Sequence, residues 1–159
     1  MVYGLITHVA IRVENLVDAE EFYTELFATT VNYRQTPIKG EWHTLPEGVD
    51  WAEAEANGFE PRMSFIARDD FFLALAGPDE EWPGESVEED YHIGVQMNET
   101  EFQDFLQRAD ELHCEILHQG EHDGSSYALV EDIYGYEWDI AVDWSTQRSA
   151  MPSGPWIDL

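Results

Sequence analysis

Near its N-terminus the chain changes its hydrophobic period from two residues to about 3.6 residues. Residues 5–13 alternate in character, which is typical of a β-strand with one buried face. Residues 16–27 carry apolar side chains at helical spacing, and Asn15 is a favourable N-cap. One face of the strand can therefore pack on the helix that follows it. The other face, which carries His8 and Arg12, is left to line another part of the protein.

The same unit returns in the second half of the chain. Residues 91–97 alternate again, and His92 has the position that His8 has in the first copy. Asn98 then caps a second predicted helix, and Glu101 completes a capping box. The apolar stripe of this helix consists of Phe102, Phe105, Leu106, Ala109 and Leu112. Two copies of a unit indicate an internal duplication, which can bring two equivalent histidines together near a pseudo-twofold axis.

Short apolar runs after each helix predict further strands. They cover residues 29–39, 62–68 and 71–76 in the first copy, and residues 113–118, 125–130 and 136–142 in the second. In the first of these strands, Val31, Tyr33 and Gln35 are expected to share one side. We place tight turns at Asp69-Asp70 and at residues 120–124.

Three segments fall outside this repeating pattern. Residues 40–58 predict an inserted loop with one helical turn, placed at a cavity mouth or on an unrelated surface. Residues 78–89 are polar and contain Pro and Gly, as a linker between the two copies would. Residues 143–159 predict an irregular tail that packs on the body or on a second subunit.

The charge of the chain is strongly negative. It has 34 acidic and seven basic residues, for a formal charge of −27, and Lys39 is its single lysine. Such self-repulsion strains a compact fold at low salt, so we interpret the composition as halophilic adaptation to a salty cytoplasm. A basic partner is the alternative, but the acids are spread along the chain. Nucleic-acid binding is not expected without a basic patch.

Length and composition suit one globular domain. The chain has 159 residues, of which 43% are hydrophobic and 13% aromatic, which excludes a disordered polypeptide. We expect no membrane association, because no apolar run reaches the length of a membrane span and no signal peptide is apparent. One cysteine, Cys114, excludes a disulfide framework and favours a cytoplasmic location. A lone thiol on an apolar strand is more often a buried small hydrophobe than a nucleophile.

The predicted final strand, residues 136–142, has an apolar face and an acidic face. Its apolar face consists of Tyr136, Trp138, Ile140 and Val142. That face belongs against the helix, so Glu137 and Asp139 point away from the helix. An aspartate among apolar strands is costly unless a cation or hydrogen bonds compensate its charge. The pattern therefore predicts a partner for Asp139.

The opening of the chain resembles that of the glyoxalase, bleomycin-resistance and extradiol dioxygenase proteins, the vicinal oxygen chelate superfamily. The similarity lies in the strand from His8 to Val13, in Asn15-Leu16, and in the Phe22-Tyr23 and Leu26-Phe27 pairs. It covers residues 5–142 as two modules. It implies an α+β fold in which two βαβββ modules form a funnel of mixed sheets with helices outside. We expect one domain over 1–159, with module one at about 5–77, a linker at about 78–89, module two at about 90–142 and a tail at 143–159.

The resemblance implies a metal site. The segment from Asp132 to Gly135, followed by Asp139, is similar to a turn after which metal-binding members of the family place a carboxylate ligand. His8, His92 and Asp139 then form the two-histidine, one-carboxylate set expected for non-haem Fe(II), while Mn(II) or Zn(II) accept the same donors. We expect the three ligands to lie within about 3 to 4.5 Å of one another, with Glu137 as the fallback carboxylate. The alternative is a metal-free funnel in which both histidines hydrogen-bond Asp139.

The chain also departs from the pattern of the family that it resembles. Glyoxalase-type members bring a fourth ligand from the last strand of module one, where Ala74 stands here. The spacing from Gly120 to Asp139 is similar to the extradiol dioxygenase signature, and His122 falls on its histidine. The tyrosine of that signature is replaced by Leu129, for which Tyr127 on the same strand face is the expected substitute. His122 and Tyr127 are therefore the candidate catalytic residues.

These features support two functional hypotheses. The first is a metal-dependent vicinal oxygen chelate enzyme acting on a small molecule, with extradiol-type dioxygenation or a related lyase reaction as the specific expectation. Phe72, Tyr127 and Trp42 are candidate walls for a flat apolar ring. The second is a metal-free ligand-binding protein of the bleomycin-resistance type, which sequesters its ligand. We expect a homodimer in either case.

Overall fold

The structure is a computed structural model, and it describes residues 8–79, 92–122 and 124–142, apart from the side chain of His122. The chain divides into two compact units, residues 1–87 and 88–159, which we call module one and module two. Most of the predicted linker and all of the predicted tail lie outside the described residues.

Module one is a five-stranded sheet with two helices. Its elements are β1 (Val9–Arg12), α1 (Leu16–Leu26), β2 (Thr30–Ile38), β3 (Glu41–Thr44), α2 (Trp51–Ala56), β4 (Met63–Arg68) and β5 (Phe71–Ala76). The strand order is β1-β5-β4-β2-β3. The β1 and β5 strands are parallel and the other neighbours are antiparallel, so the sheet is mixed.

The core of module one lies between its sheet and α1. Asn15 caps this helix by accepting a hydrogen bond from the backbone N–H of Asp18. The buried stripe of α1 consists of Leu16, Ala19, Phe22, Tyr23 and Leu26. Ile11 of β1 and Leu73 and Leu75 of β5 are also buried. The predicted alternation of the first strand is therefore confirmed where the structure describes it.

The insertion in module one has more structure than the predicted loop with one helical turn. Residues 41–44 form β3, which pairs with β2 and becomes the edge of the sheet. The α2 helix is anchored by Trp51, which is 1% exposed and donates a hydrogen bond from Nε1 to Ser64 Oγ at 2.8 Å. The insertion thus contributes to the core of module one. Burying the large indole of Trp51 is favourable enough to hold α2 on the sheet, although the helix also contains glutamates.

A β-bulge changes the predicted facing of β2. Val31 pairs with Ile66, whereas Tyr33 pairs with Phe65, and the register shifts between Val31 and Tyr33. Ile66 and Phe65 are consecutive and point to opposite faces, so Val31 and Tyr33 do too. The prediction that both share one side was wrong, because one extra residue reverses the alternation.

Module two repeats this plan with four strands. Its elements are β6 (His92–Met97), α3 (Glu99–Glu111), β7 (Glu115–His122), β8 (Ser125–Glu131) and β9 (Glu137–Val142). The strand order β6-β9-β8-β7 is that of β1-β5-β4-β2 in module one, and again the first and last strands of the module are parallel. The predicted α+β fold with two βαβββ modules is confirmed, including the capping box of Asn98 and Glu101.

The β7 strand is longer than predicted. It continues to His122, which pairs with Ser125 of β8, so residues 120–122 belong to the strand and not to a turn. The hairpin is short because Gly124, with a φ of 79°, adopts the left-handed conformation. The longer strand brings Gly120 opposite Tyr127.

Candidate functional site

The sheet of module two has one face covered by α3 and one face opposite it, which we call the open face. The α3 side is apolar and includes Trp138, Ile140 and Val142 of β9, all buried. Strand pairing assigns the remaining positions to the open face, and its polar members with described side chains are His92, Gln96, Glu115, His118, Ser125, Tyr127, Glu131, Glu137 and Asp139. The predicted division of the final strand into two faces is confirmed.

His92 and Asp139 lie on neighbouring parallel strands. Gly94 is directly opposite Asp139, and His92 is directly opposite Glu137. Asp139 is thus the diagonal neighbour of His92, with Cα atoms about 8 Å apart for a strand spacing of about 4.8 Å and a rise of about 3.3 Å per residue. Gly94 has no side chain between them. Two side chains can therefore converge above Gly94.

The turn that precedes β9 fixes the register of Asp139. Asp132 is 4% exposed, and its Oδ1 accepts hydrogen bonds from the backbone N–H groups of Tyr134 and Tyr136 at 2.9 and 3.0 Å. Its Oδ2 accepts a third from Trp138 Nε1 at 2.8 Å. Gly135 completes the turn with a φ of 86°. Since Trp138 is held on the α3 side, Asp139 must point to the open face.

Tyr127 and His118 form a hydrogen-bonded pair on the same face. Tyr127 Oη and His118 Nε2 are 2.8 Å apart, and the ring centroids are 5.4 Å apart. The phenol crosses Gly120, where a Cβ atom would approach Tyr127 Oη to 2.9 Å. Sequence reasoning selected Tyr127 but missed His118. The alternation of His118, Gly120 and His122 was the available signal, but a turn had been assigned there.

The other candidate catalytic residue is His122. Its backbone belongs to β7 and pairs with Ser125. Its side chain lies outside the described part of the structure, so its catalytic role stays a prediction.

The sheet of module one also has an open face, opposite α1, and this face carries an aromatic cluster. The ring of Phe65 stacks on Tyr33, with centroids 4.4 Å apart, and on Phe72 at 5.6 Å. His8 presents its ring edge-on to Phe65 and Phe72 at 5.8 and 6.1 Å. Trp42, the other predicted wall in this module, is 56% exposed on the edge strand β3. The predicted ring-binding residue Phe72 is therefore part of a cluster that includes His8.

The predicted ligands, His8 of module one and His92 and Asp139 of module two, are of donor types that a divalent metal accepts. Two imidazoles and a carboxylate are the groups that Fe(II), Mn(II) and Zn(II) accept. Within each module, the described residues contain no group of three or more His, Cys, Asp or Glu side chains arranged to hold a metal ion. His8 belongs to module one, so the predicted triad and its spacing stay predictions. Ala74, in place of a fourth ligand, is 1% exposed and pairs with Ala10 of β1.

Cys114 is not part of these faces. It lies between α3 and β7 and is half-buried. Burial and, to a smaller extent, the negative charge of Asp132 raise the pKa of its thiol to about 11. A thiol with so high a pKa is a poor nucleophile at neutral pH, as the sequence predicted.

Comparison with known families identifies the fold. A model of the Glyoxalase/Bleomycin resistance protein/Dioxygenase superfamily matches residues 5–140. The chain belongs to this superfamily. No curated protein matches the chain significantly. Among its described helices, none is both long and apolar enough to cross a membrane.

Several solved structures share the superfamily fold with this chain. The fosfomycin resistance protein FosX from Listeria monocytogenes, in complex with Mn(II) and a sulfate ion, is 14% identical, with a TM-score of 0.61 over 94% of this chain and 100% of that one. Lactoylglutathione lyase from Agrobacterium tumefaciens is 16% identical, with a TM-score of 0.55 over 89% and 95% of the two chains. TioX from Micromonospora sp. ML1 is 11% identical, with a TM-score of 0.56 over 87% and 98%. At such identities the similarity establishes the fold alone.

Proposed function

We propose that this superfamily member is a metal-dependent vicinal oxygen chelate enzyme that acts on a small molecule. The observation that carries the proposal is the placement of His92 and Asp139 on one face of neighbouring strands, with Gly94 between them. Because Gly94 has no side chain, the space above it can hold an ion bound by both side chains together with the other ligands of that ion.

His8, His92 and Asp139 would hold the metal. Fe(II) is our first choice because two histidines and a carboxylate form the facial triad of non-haem iron enzymes. Mn(II) is supported by the complex of FosX with that ion, and Zn(II) accepts the same donors. The bound metal would act as a Lewis acid that binds vicinal oxygens of the substrate and lowers the pKa of a hydroxyl. Glu137, opposite His92, is the fallback carboxylate.

Each module, taken by itself, carries side chains that suit part of a flat substrate with adjacent oxygens. The stacked rings of Tyr33, Phe65 and Phe72 offer apolar surface to an aromatic ring. Tyr127 on the open face of module two can hydrogen-bond a substrate oxygen. The specific reaction that we propose is extradiol-type cleavage of a catechol-like diol.

The aromatic cluster also supports a second candidate function. Stacked rings can bind a planar ligand without any chemistry, as a sequestering protein of the bleomycin-resistance type would do. In that case His8 contributes its edge-on contacts to the cluster and not a metal bond. We propose a homodimer for both functions, which sedimentation analysis would test.

Metal content separates the two candidates. Protein purified without chelators should contain about one divalent ion per chain, and His92→Ala should lower the metal affinity at least about 100-fold. The matched control is His113→Asn, which replaces an exposed histidine at a φ of 62° that asparagine tolerates. Equal metal content in both variants would contradict the enzyme hypothesis. Anaerobic loading with Fe(II), followed by a panel of catechols, then tests the ring-opening reaction by its coloured product.

A further inference from the structure

Glu20 is a largely buried acid on the side of α1 that packs on the sheet of module one. Its Oε1 accepts a hydrogen bond from Arg34 Nη2 at 2.5 Å, and its Oε2 accepts two, from Arg34 Nε at 2.9 Å and from Ser64 Oγ at 2.5 Å. The side chains of Arg34 and Glu20 are only 16% and 12% exposed. Charges withdrawn from water to this extent are costly unless a partner of opposite charge stays beside them. Glu20 therefore holds Arg34 on the helix-covered side of the sheet.

The two residues that Glu20 holds lie directly behind the stacked rings of the open face. Arg34 of β2 is opposite Ser64 of β4, and the neighbouring pair in register is Tyr33 and Phe65. Consecutive residues of a strand point to opposite faces, so one face of these strands carries the bonds to Glu20 and the other carries the ring stack. The Tyr33 and Phe65 rings have centroids 4.4 Å apart and planes inclined by 26°. A shift of β2 against β4 would therefore separate the two rings.

We propose that Glu20 and Arg34 are positioning residues that fix the register of β2 and thereby keep Tyr33 on the open face against Phe65. This inference rests on the proposed function, because the pair has this role only if the stacked rings bind a planar ligand. Neither residue of the ion pair would touch that ligand. Both act on it through the backbone of β2.

The β-bulge in β2 leaves the strand a choice between two registers. The register shift lies between Val31 and Tyr33. Without the shift, each later residue of β2 would move to the next position along β4 and would reverse its facing. Arg34 would then point to the open face, and Tyr33 would point towards α1 from a place opposite Ser64. Only the bulged register brings the guanidinium of Arg34 to Glu20, so the ion pair favours that register over the other.

Module two has the same bulge without a charged pair. Its β7 strand shifts register against β8 at the corresponding place. Gln119 has the position of Arg34 there, and Phe105, at the same sequence offset, has the position of Glu20 and is buried. A bulge in this fold can thus be held by apolar packing, so folding alone does not require a buried carboxylate. Specifying one register among alternatives is the best-attested use of a buried ionic group.

The first test measures the position of Tyr33 without any ligand. The full chain is labelled with [13Cε]tyrosine, and Tyr33→Phe identifies the Tyr33 signal among the seven tyrosines. Phe65→Leu gives the reference shift of an unstacked Tyr33 ring. Glu20→Gln leaves the charge of Arg34 without its partner, so the Tyr33 signal should move most of the way to that reference. Ser64→Ala is the matched control: it removes a hydrogen bond from the same carboxylate but keeps the ion pair, and should leave the Tyr33 signal in place.

Removing both charges separates positioning from general stability. The double variant Glu20→Gln/Arg34→Met has no charge to expel from the helix-covered side, so its Tyr33 signal should return to the wild-type position even if its melting temperature is lower. A Tyr33 signal that Glu20→Gln does not move would overturn the inference. If Glu20→Gln does not fold, the double variant decides: a stacked Tyr33 supports the inference, whereas an unstacked Tyr33 or a failure to fold overturns it.

The second test titrates catechol, as the planar probe, into the metal-free labelled proteins. Catechol should shift the Tyr33 signal of the wild type. Glu20→Gln should raise the dissociation constant about 10-fold, as the loss of one aromatic stacking contact does. Ser64→Ala and the double variant should bind catechol as the wild type does. A dissociation constant that follows the melting temperatures of the variants and not their Tyr33 signals would show that the pair is merely structural.

A failure of the proposed function is distinguishable from a failure of this inference. If the protein holds no metal and turns over no catechol, but the variants bind catechol in the expected order, the enzyme hypothesis is wrong and the positioning role stands for the sequestering function. If catechol is turned over, but Glu20→Gln changes neither the Tyr33 signal nor the dissociation constant, the enzyme hypothesis stands and the positioning role is wrong. A wild-type Tyr33 signal that catechol does not move would overturn the positioning role as well, because the stacked rings would not be the binding surface.

Discussion

The two modules have the same strand order but different open faces. In module one this face carries stacked rings, with Tyr33 and Phe72 on either side of Phe65. In module two the described side chains on this face include two histidines, four carboxylates and a tyrosine. The helix-covered face of module two is apolar, and that of module one is mostly apolar but also holds Ser64 and Arg34, which bond Glu20 of α1. The comparison suggests that the duplicated unit kept what folding requires and diverged where a ligand would bind.

The C-terminal ends of α1 and α3 show how similar the helix-covered sides of the two modules are. Ala28 after α1 and His113 after α3 both have a positive φ, of 49° and 62°. The next residues, Thr29 and Cys114, donate their backbone N–H groups to carbonyls five residues back, at 2.9 and 2.8 Å. Both helices therefore end in a Schellman-type turn without glycine. Thr29 and Cys114 are equivalent positions of the two modules.

The largest expected effect concerns charge, in which the modules also differ. Residues 8–79 contain 14 acidic and five basic residues, whereas residues 92–142 contain 12 acidic residues and Arg108 alone. Three ion pairs, Arg34–Glu20, Arg62–Glu60 and Arg68–Asp69, lie in module one. We expect the fold to require molar salt, where the screening length is about 3 Å, and module two to lose structure first as salt falls.

Hydrogen exchange in a series of salt concentrations measures this effect. Amides of β8 and β9 should lose protection at higher salt than those of β4 and β5. Sucrose, which stabilises proteins without screening charge, is the control and should not replace salt fully. Full stability in about 10 mM salt, where the screening length is about 30 Å, would show the prediction to be wrong.

The next effect concerns the equivalent hairpin turns. Asp132→Ala in module two should lower the free energy of unfolding by about 3 kcal/mol, because the Trp138 indole and two backbone N–H groups lose a buried charged acceptor. Asp70→Ala, in the exposed turn between β4 and β5, should change it by less than about 0.5 kcal/mol. Chemical denaturation measures both, and similar losses in the two variants would count against a special role for Asp132.

The sequence predicted the parts of the fold that depend on local pattern. The helix stripes, the capping box at Asn98 and the hairpin turn at Asp69-Asp70 are each determined by residues close in the chain. The two βαβββ modules followed from the repeat and the family resemblance. The bulge before Tyr33 was not predictable. The extra residue can be recognised only from the pairing of β2 with β4, which the sequence of β2 alone does not contain.

The candidate site was predictable only in part. His92, Asp139 and Tyr127 were found from alternation and resemblance, and the structure places all three on one face. His118 was missed because residues 120–124 were predicted to form a turn, whereas β7 continues to His122 and places His118 on the face of Tyr127. The role of Trp51 was missed because its neighbours in α2 are Ala and Glu, whereas burial depends on contact with Ser64. Contacts between different strands and helices cannot be predicted from the spacing of residues along one element.

A smaller effect concerns the reactivity of Cys114. Since the pKa of its thiol is raised to about 11, alkylation at pH 8 should be roughly 100-fold slower in the folded chain than in the chain unfolded in guanidinium. The raised pKa also stabilises the fold below about pH 9, and this contribution is lost as the pH rises towards 11. Cys114→Ala should remove that loss. Equal alkylation rates would mean that the thiol is not shielded.

The smallest expected effect concerns Thr29, the counterpart of Cys114. Its hydroxyl oxygen is buried and has no hydrogen-bond partner among the described residues. A buried hydroxyl without a partner loses its hydrogen bonds to water and gains none in the protein. Thr29→Val should therefore raise the free energy of unfolding by up to about 1 kcal/mol. The matched control is Thr36→Val, because Thr36 is 2% exposed and its hydroxyl donates to the Glu60 carbonyl at 2.9 Å. That variant should lose about 1–2 kcal/mol. If Thr29→Val destabilises the fold as much as Thr36→Val, the Thr29 hydroxyl has a hydrogen-bond partner in solution. The ends of α1 and α3 would then differ in their side-chain hydrogen bonds although their backbones are alike.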